Sequence, residues 1–327
     1  MDKSAIMVSI IIPAYNGERT IEQCIDSVLK VNWPREQLEI IIVNDGSTDN
    51  TGRIIENFQE SFTNIKIVNQ KNGGAAAARS AGLRNAQSKY VFMLSQDASA
   101  HPEWIKDAVD AFKQDSRIGI VQGKICLTEE ITIPYYHATQ LLRPARNFPT
   151  AAIAYLGDAL DKAGRYFDVR LSEYGDDTDL AWRILSKGYC SKWIDTVTAY
   201  HGVFPVNGFG YYIRRSLGAQ AFALLVKNNP RLRQTFVIPF VWGSPYRLLE
   251  FLLCAAGIFA LPFNLLAGVG LLLTSFLVCY LFMLLSLSVQ VSPLYRHFIL
   301  PIDRYICDLT ATAAMWYGAV RHRCFIL

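Results

Sequence analysis

The sequence predicts an α/β protein: a Rossmann-like, mainly parallel sheet over residues 1–225, followed by a C-terminal transmembrane helical hairpin. Three observations carry this. Short apolar runs alternate with stretches of helical periodicity through about the first 120 residues. Four acidic clusters between Asp45 and Asp179 fall where a strand hands over to a loop or helix, the edge at which open α/β sheets bind ligands. From Leu248 to Val291 no charge occurs except Glu250, and 44 residues suffice for two spans of about 20 each.

The first element, Val8–Ile12, is a short strand, apolar but for Ser9 and ended by Pro13, and after Gly17 the residues Ile21, Cys24, Ile25, Val28 and Leu29 recur at helical spacing. Glu39–Val43 repeats the strand, Asp49 is placed to cap a second helix, and Ile54, Ile55, Phe58 and Phe62 line that helix. Ile65–Val68 and Tyr90–Leu94 are further strands, separated by an alanine-rich helix from Gly74. Pro102 opens a helix buried through Ile105, Ala108, Val109 and Phe112, and Ile118–Val121 is the next strand. Between 123 and 175 the rhythm weakens, as expected of a substrate-facing region. A helix then runs from Asp177 to Lys187, with Leu180, Ala181, Ile184 and Leu185 on one face and Gly188 to stop it.

Beyond an interfacial linker at 226–247, the hairpin at 248–290 divides into spans at 248–267 and 271–290. The turn falls at Ala267-Gly268-Val269-Gly270, and Pro262 kinks the first span. Arg231, Arg233 and Arg247 precede it and Arg296, Arg304, Arg321 and Arg323 come after it, which puts both flanks, and the α/β half, on the cytoplasmic side of the inner membrane. Residues 291–327 hold a helix whose Asp303, Arg304 and Asp308 favour the interface over a span. Met1–Met7 lacks the apolar core of a signal peptide. Seven widely spaced cysteines, none in C-x-x-C, are expected as reduced thiols. A net charge of +4 is modest, so the basic residues suit membrane lipids, and no nucleic acid is expected as a partner.

Five motifs carry chemistry: VSIIIPAYNGE (8–18) with IIIVNDGSTD (40–49); NGGAAAARSAG (72–82); MLSQDAS (93–99); EYGDDTDLAWRI (173–184); and AYHGVF (199–204) with Arg214-Arg215 beyond it. A carboxylate such as Asp45 accepts hydrogen bonds from an imide N–H or ribose hydroxyls, though Asn44-Asp45-Gly46-Ser47 also reads as a turn with a helix cap. Small residues at a helix N-terminus let backbone approach an anion, and Arg79 adds charge. Crowding Asp176, Asp177 and Asp179 would raise at least one pKa toward neutrality, while the helix dipole alone would also favour acids there. His201 reads as a metal or diphosphate ligand or as a structural histidine; the arginines read as a phosphate grip or as headgroup contacts.

Together these motifs, over residues 7–225, resemble family 2 inverting glycosyltransferases with the GT-A fold, of the membrane-anchored, non-processive kind. The resemblance implies that Pro13, Ala14, Tyr15 and Asp45 hold the nucleotide, that Gly74 and Arg79 lie beside its diphosphate, and that Asp97 binds nucleotide-sugar and Mg²⁺ or Mn²⁺. His201 joins the metal, Asp176 and the pair Arg214 and Arg215 contact the donor, and Asp177 is the catalytic base. Ser95 stands where an acidic residue is usual, a variant similar to that of rhamnosyltransferase-like members, which bears on metal dependence and on the donor sugar. Ala152 replaces a common Asn, and Leu156-Gly157 a basic pair.

The expected reaction is transfer of one sugar from a nucleotide-diphosphate sugar, a UDP-sugar first, to a hydroxyl of a glycan or lipid-linked acceptor. A hydroxyl needs a base where a lipid phosphate does not, and the Gln-x-x-Arg-Trp string of processive synthases is absent. Direct glycosylation of polyprenyl phosphate and a catalytically silent nucleotide-sugar-binding membrane protein are the alternatives.

Overall fold

The computed structural model describes residues 7–131, 135–172, 174–235, 245–286 and 300–324. The strands are β1 (Val8–Ala14), β2 (Leu38–Asn44), β3 (Ile65–Asn69), β4 (Tyr90–Leu94), β5 (Ala98–Ala100), β6 (Ile118–Leu127), β7 (Tyr136–His137), β8 (Ala152–Leu156), β9 (Cys190–His201) and β10 (Phe204–Pro205). The helices are α1 (Ile21–Leu29), α2 (Thr51–Ser61), α3 (Ala75–Asn85), α4 (Trp104–Gln114), α5 (Gly157–Ala163), α6 (Asp176–Ser186), α7 (Phe209–Gly218), α8 (Phe222–Asn228), α9 (Pro245–Ala260), α10 (Leu265–Ser286) and α11 (Leu300–His322). The chain divides into two compact units: Met1–Glu129 with Ala138–Val203, and Glu130–His137 with Phe204–Leu327.

The first unit is built on an eight-stranded sheet in the order β3-β2-β1-β4-β8-β6-β9-β5. Strands β1 to β4 are parallel, as are β6 and β9, whereas β8 runs against both β4 and β6, and β5 against β9. The sheet is therefore mainly parallel with two reversed strands. Period-two alternation sends side chains to two separate cores, one per face. Ile10 and Ile12, Ile40 and Ile42, and Phe92 and Leu94 pack with α1 and α4. Ile11, Ile41, Val91, Met93, Ile153 and Tyr155 pack with α3, α5 and α6. Strands buried on both faces need continuous apolar runs, which is why β1 and β2 are so rich in isoleucine. On the second face α3 lies close to β1: a Cβ on Gly82 would stand 2.2 Å from Ile11 Cγ2.

In the second unit β7 and β10 form a short antiparallel pair, and α7 to α11 are helical. The transmembrane hairpin expected from the sequence is not found: among the described residues no helix is long and apolar enough to cross a membrane. The multi-pass inner-membrane placement and the membrane anchor fall with it. Helix α9, at 16 residues, extends about 24 Å against an apolar bilayer core of about 30 Å. The chain turns at Leu261–Phe263, around Pro262, and Gly268 and Gly270, expected in the turn, lie inside α10. Residues 287–290 of the second expected span lie outside the described residues. The few polar groups here are taken up between helices. Ser275 is buried and donates to the Glu250 carbonyl at 2.7 Å, Tyr305 of α11 donates to Ser275 at 3.0 Å, and Glu250 itself is buried. Helix α11 also packs on Gln220, tightly enough that a Cβ on Gly318 would meet its carbonyl.

Candidate active site

The parallel strands β1, β2 and β4 end side by side, so the loops after Ala14, Asn44 and Leu94 share one edge of the sheet. The first two loops are laced together. Asn16, at φ +45°, accepts from the Thr48 N–H at 2.8 Å, Gly17 N–H donates to Thr51 Oγ1 at 2.8 Å, and Glu18 N–H to Asp49 at 3.1 Å. Asp49 also accepts from the Thr51 N–H at 3.0 Å, but the N-cap position of α2 is Asn50, one residue later than expected of the cap. Pro13 and Ala14 close β1, and Tyr15 projects with its side chain exposed.

Asp45 is buried, and its carboxylate takes three hydrogen bonds: from Gln70 Nε2 at 2.7 Å, the Gly73 N–H at 2.9 Å and the Gly74 N–H at 2.9 Å. It thereby holds the turn that starts α3. Gly46, at φ +69°, completes this corner: a Cβ there would stand 2.8 Å from the Asn72 nitrogen, so only glycine fits.

The third loop carries Ser95, Gln96 and Asp97. The Gln96 amide pairs with both backbone groups of Tyr15, accepting from its N–H at 2.9 Å and donating to its carbonyl at 3.0 Å. Asp97 Oδ1 lies 3.3 Å from His201 Nε2, at the end of β9. His201 Nδ1 lies 2.8 Å from the Gly202 carbonyl. A carbonyl cannot donate, so Nδ1 carries the proton and the lone pair of neutral His201 sits on Nε2, toward Asp97. A carboxylate oxygen beside an imidazole lone pair is a donor set for a hard or borderline divalent cation, and the Nδ1–H to carbonyl bond is the support such ligands ordinarily have.

Helix α3 joins this edge to α6. Arg79 forms a 2.5 Å ion pair with Asp176, both largely buried. The next residue, Asp177, accepts from the Thr178 N–H at 2.7 Å. Burial raises the pKa of both carboxyls, but Arg79 sits on Asp176 and keeps that one the better anion. Burial and the charge of Asp176 push Asp177 up to about 7. Asp179 turns away and is consumed by Arg183 at 2.8 Å. Thr178 Oγ1 donates to the Asn147 carbonyl at 2.9 Å, and the same 147–151 segment accepts from the Ser95 N–H at 3.1 Å, linking the start of α6 to the Asp97 loop. The first unit thus ties Asp45, Gly74, Arg79, Asp97, Asp176, Asp177 and His201 into one bonded network at one sheet edge. Arg214 and Arg215 lie on α7 of the second unit, where Arg215 donates to Tyr211 Oη at 3.2 Å.

Sequence reasoning passed over Gln70, Gln96 and Tyr155. Gln96 stands inside a motif already singled out; Gln70 and Tyr155 carry no local signal.

An open α/β sheet thus carries, in one unit, a near-neutral carboxyl at a helix start and an Asp–His pair at a strand end, a proton acceptor and a donor set for a divalent cation. Residues 9–163, a little under half of this chain, match the family model described as Glycosyl transferase family 2. Among curated proteins it is 41% identical over 91 residues to the uncharacterized glycosyltransferase EpsJ of Bacillus subtilis (strain 168), covering 28% of this chain and 26% of EpsJ. To the probable glycosyltransferase YdaM of the same organism it is 30% identical over 201 residues, 56% of this chain and 47% of YdaM. The matched stretch spans less than half the length of each relative. Among solved structures, the mannosyltransferase PcManGT from Pyrobaculum calidifontis, in complex with GDP-Man and Mn²⁺, aligns over 97% of this chain and 86% of its own with a TM-score of 0.60 at 22% identity. S. aureus TarS 1-349 in complex with UDP-GlcNAc aligns over 98% and 93% with a TM-score of 0.54 at 16% identity. At these identities the likeness shows the GT-A-like fold.

Proposed function

We propose that the protein transfers a single sugar, with inversion, from a nucleotide-diphosphate sugar, a UDP-sugar first, to a hydroxyl of a glycan or lipid-linked acceptor. The observation that carries this is Asp177: a buried carboxyl at the start of α6 with its pKa at about 7, beside an anion already neutralised by Arg79. Such a group takes the acceptor's proton at neutral pH as the hydroxyl attacks the anomeric carbon. Pro13, Ala14, Tyr15 and Asp45 hold the nucleotide, with Asp45 acting by fixing the Gly73–Gly74 turn. Gly74 and Arg79 stand beside the diphosphate, and Asp176 orients Arg79.

Asp97 and His201 would hold Mg²⁺ or Mn²⁺, which when bound neutralises the diphosphate leaving group. The pairing of a carboxylate with an Nε2 lone pair fits that ion. GDP-Man with Mn²⁺ on one structural neighbour and UDP-GlcNAc on another support a nucleotide-sugar donor. Contact with membrane lipids rests on the exposed side chains of Phe259, Phe263, Leu265 and Leu266 around the α9–α10 turn.

The test is nucleotide release from a panel of UDP-, GDP- and dTDP-sugars with membrane extract as acceptor. Asp177→Asn is expected to lower kcat by about 10²–10⁴-fold, the usual worth of a general base, with donor binding kept. Transfer at the wild-type rate in that variant removes the base assignment.

A further inference from the structure

Beneath the α6 helix start lies a buried hydroxyl that no described residue satisfies. Tyr155, on β8, is fully buried in the core layer it shares with Leu160 of α5 and with Leu180, Ala181 and Ile184 of α6. Its Oη has no hydrogen-bond partner among the described residues. Phenylalanine would fill the same volume without burying an unsatisfied donor, so a hydroxyl kept here calls for an acceptor in some working state of the protein.

The charged groups acting on this phenol are, in order, Asp177, Arg79, Asp176 and Arg183. Guanidinium groups accept no hydrogen bond. Asp176 is occupied by Arg79 and Asp179 by Arg183. Asp177, whose hydrogen bonds come from Thr178, is the carboxylate left to receive the O–H. Burial and the neighbouring carboxylates push the phenol's own ionisation far above the working range, so it stays a donor at every relevant pH.

From this arrangement we infer that Tyr155 is a positioning residue for Asp177: its hydroxyl donates to the Asp177 carboxylate when that group is ionised, orienting the base and setting the pH at which it becomes available. The inference rests on the reading of Asp177 as the base. Asp176 and Thr178 on its own helix and Arg79 from α3 act on Asp177, whose charge in turn is the largest felt by the Tyr155 phenol on β8. A donor to the ionised form lowers a carboxyl's pKa, and its loss raises it.

The experiment uses the full chain labelled with ¹³Cγ-aspartate, with the Asp177 resonance assigned by Asp177→Asn. Tyr155→Phe is expected to move the Asp177 titration midpoint upward by about one pH unit, the scale of one hydrogen bond to a charge. The acid limb of the transfer rate should move with it, and donor KM should not. An unmoved midpoint together with an unchanged or higher Tm would show the hydroxyl to be a bystander and overturn the inference. Because the titration needs no substrate, the two readings fail separately: full transfer by Asp177→Asn sinks the base, while a still midpoint in Tyr155→Phe sinks the contact.

Discussion

Asp45 and Asp177 both stand where regular structure meets a loop, and the two regions treat the same side chain in opposite ways. Asp45 is surrounded by donors, two of them backbone N–H groups of the turn that starts α3. Asp177 has one backbone donor, from its own neighbour, and an anion beside it. A satisfied carboxylate is a structural clamp. A carboxylate short of donors holds its proton near neutrality, which suits proton transfer and costs stability. The comparison teaches that being acidic, buried and at a strand or helix end does not define a role; the count of donors does.

The largest expected effect separates the two by sign. Asp45→Ala leaves three donors without their anion and should cost about 3 kcal/mol, read from urea or thermal unfolding. Asp177→Asn should do the reverse. With its folded pKa raised to about 7, wild-type protein binds more protons than the unfolded chain from about pH 4 to 7, so this carboxyl erodes stability as pH rises through that window. The variant should match wild type near pH 4 and exceed it by on the order of 4 kcal/mol at pH 8. Equal losses from both substitutions would break the comparison.

Next in size is a shift in pH dependence. Transfer should fall as pH drops through about 7, where Asp177 takes its proton. Asp176→Asn removes the adjacent negative charge and frees Arg79 toward Asp177; both changes lower the pKa. The acid limb should move down by about one pH unit. Loss of the acid limb would mean that Asp176, not Asp177, carries the titrating proton.

How much of this was legible in the sequence depends on which interactions are local. Strands β1, β2 and β4 were readable because a doubly buried strand needs a nearly continuous apolar run, though β1 continues through Pro13 to Ala14, past the stop expected at the proline. Helix α6 was readable from its face of Leu180, Ala181 and Ile184 and its stop at Gly188. The reversed strand β8 was not, since Ala152–Leu156 is a short apolar run whose direction depends on partners across the sheet, β4 and β6. Gln70 and Gln96 gave no signal because their amides meet groups 25 and 81 residues away. The C-terminal apolar run misled for a related reason. Hydropathy records apolar side chains, not that the run breaks at Leu261–Phe263 into a 16-residue helix and a second one whose Ser275 and Leu272 meet Glu250 and Gly257 of the first.

The smallest expected effect concerns the clamp on Tyr15, and it tests whether the donor loop is held as firmly as the Asp45 corner. Gln96→Ala removes two neutral, solvent-accessible hydrogen bonds, worth together about 1 kcal/mol, so donor KM should rise about fivefold with kcat unchanged. Gly17→Ala should reach the same end without touching Gln96. A Cβ at 17 would stand 2.4 Å from Gln96 Oε1, the far end of a flexible side chain, and the amide would swing away from Tyr15. Once Gln96 is alanine that clash no longer exists. The double variant should therefore bind donor as Gln96→Ala alone does, a full failure of additivity. KM increases that multiply would mean instead that Gly17 and Gln96 support the loop independently.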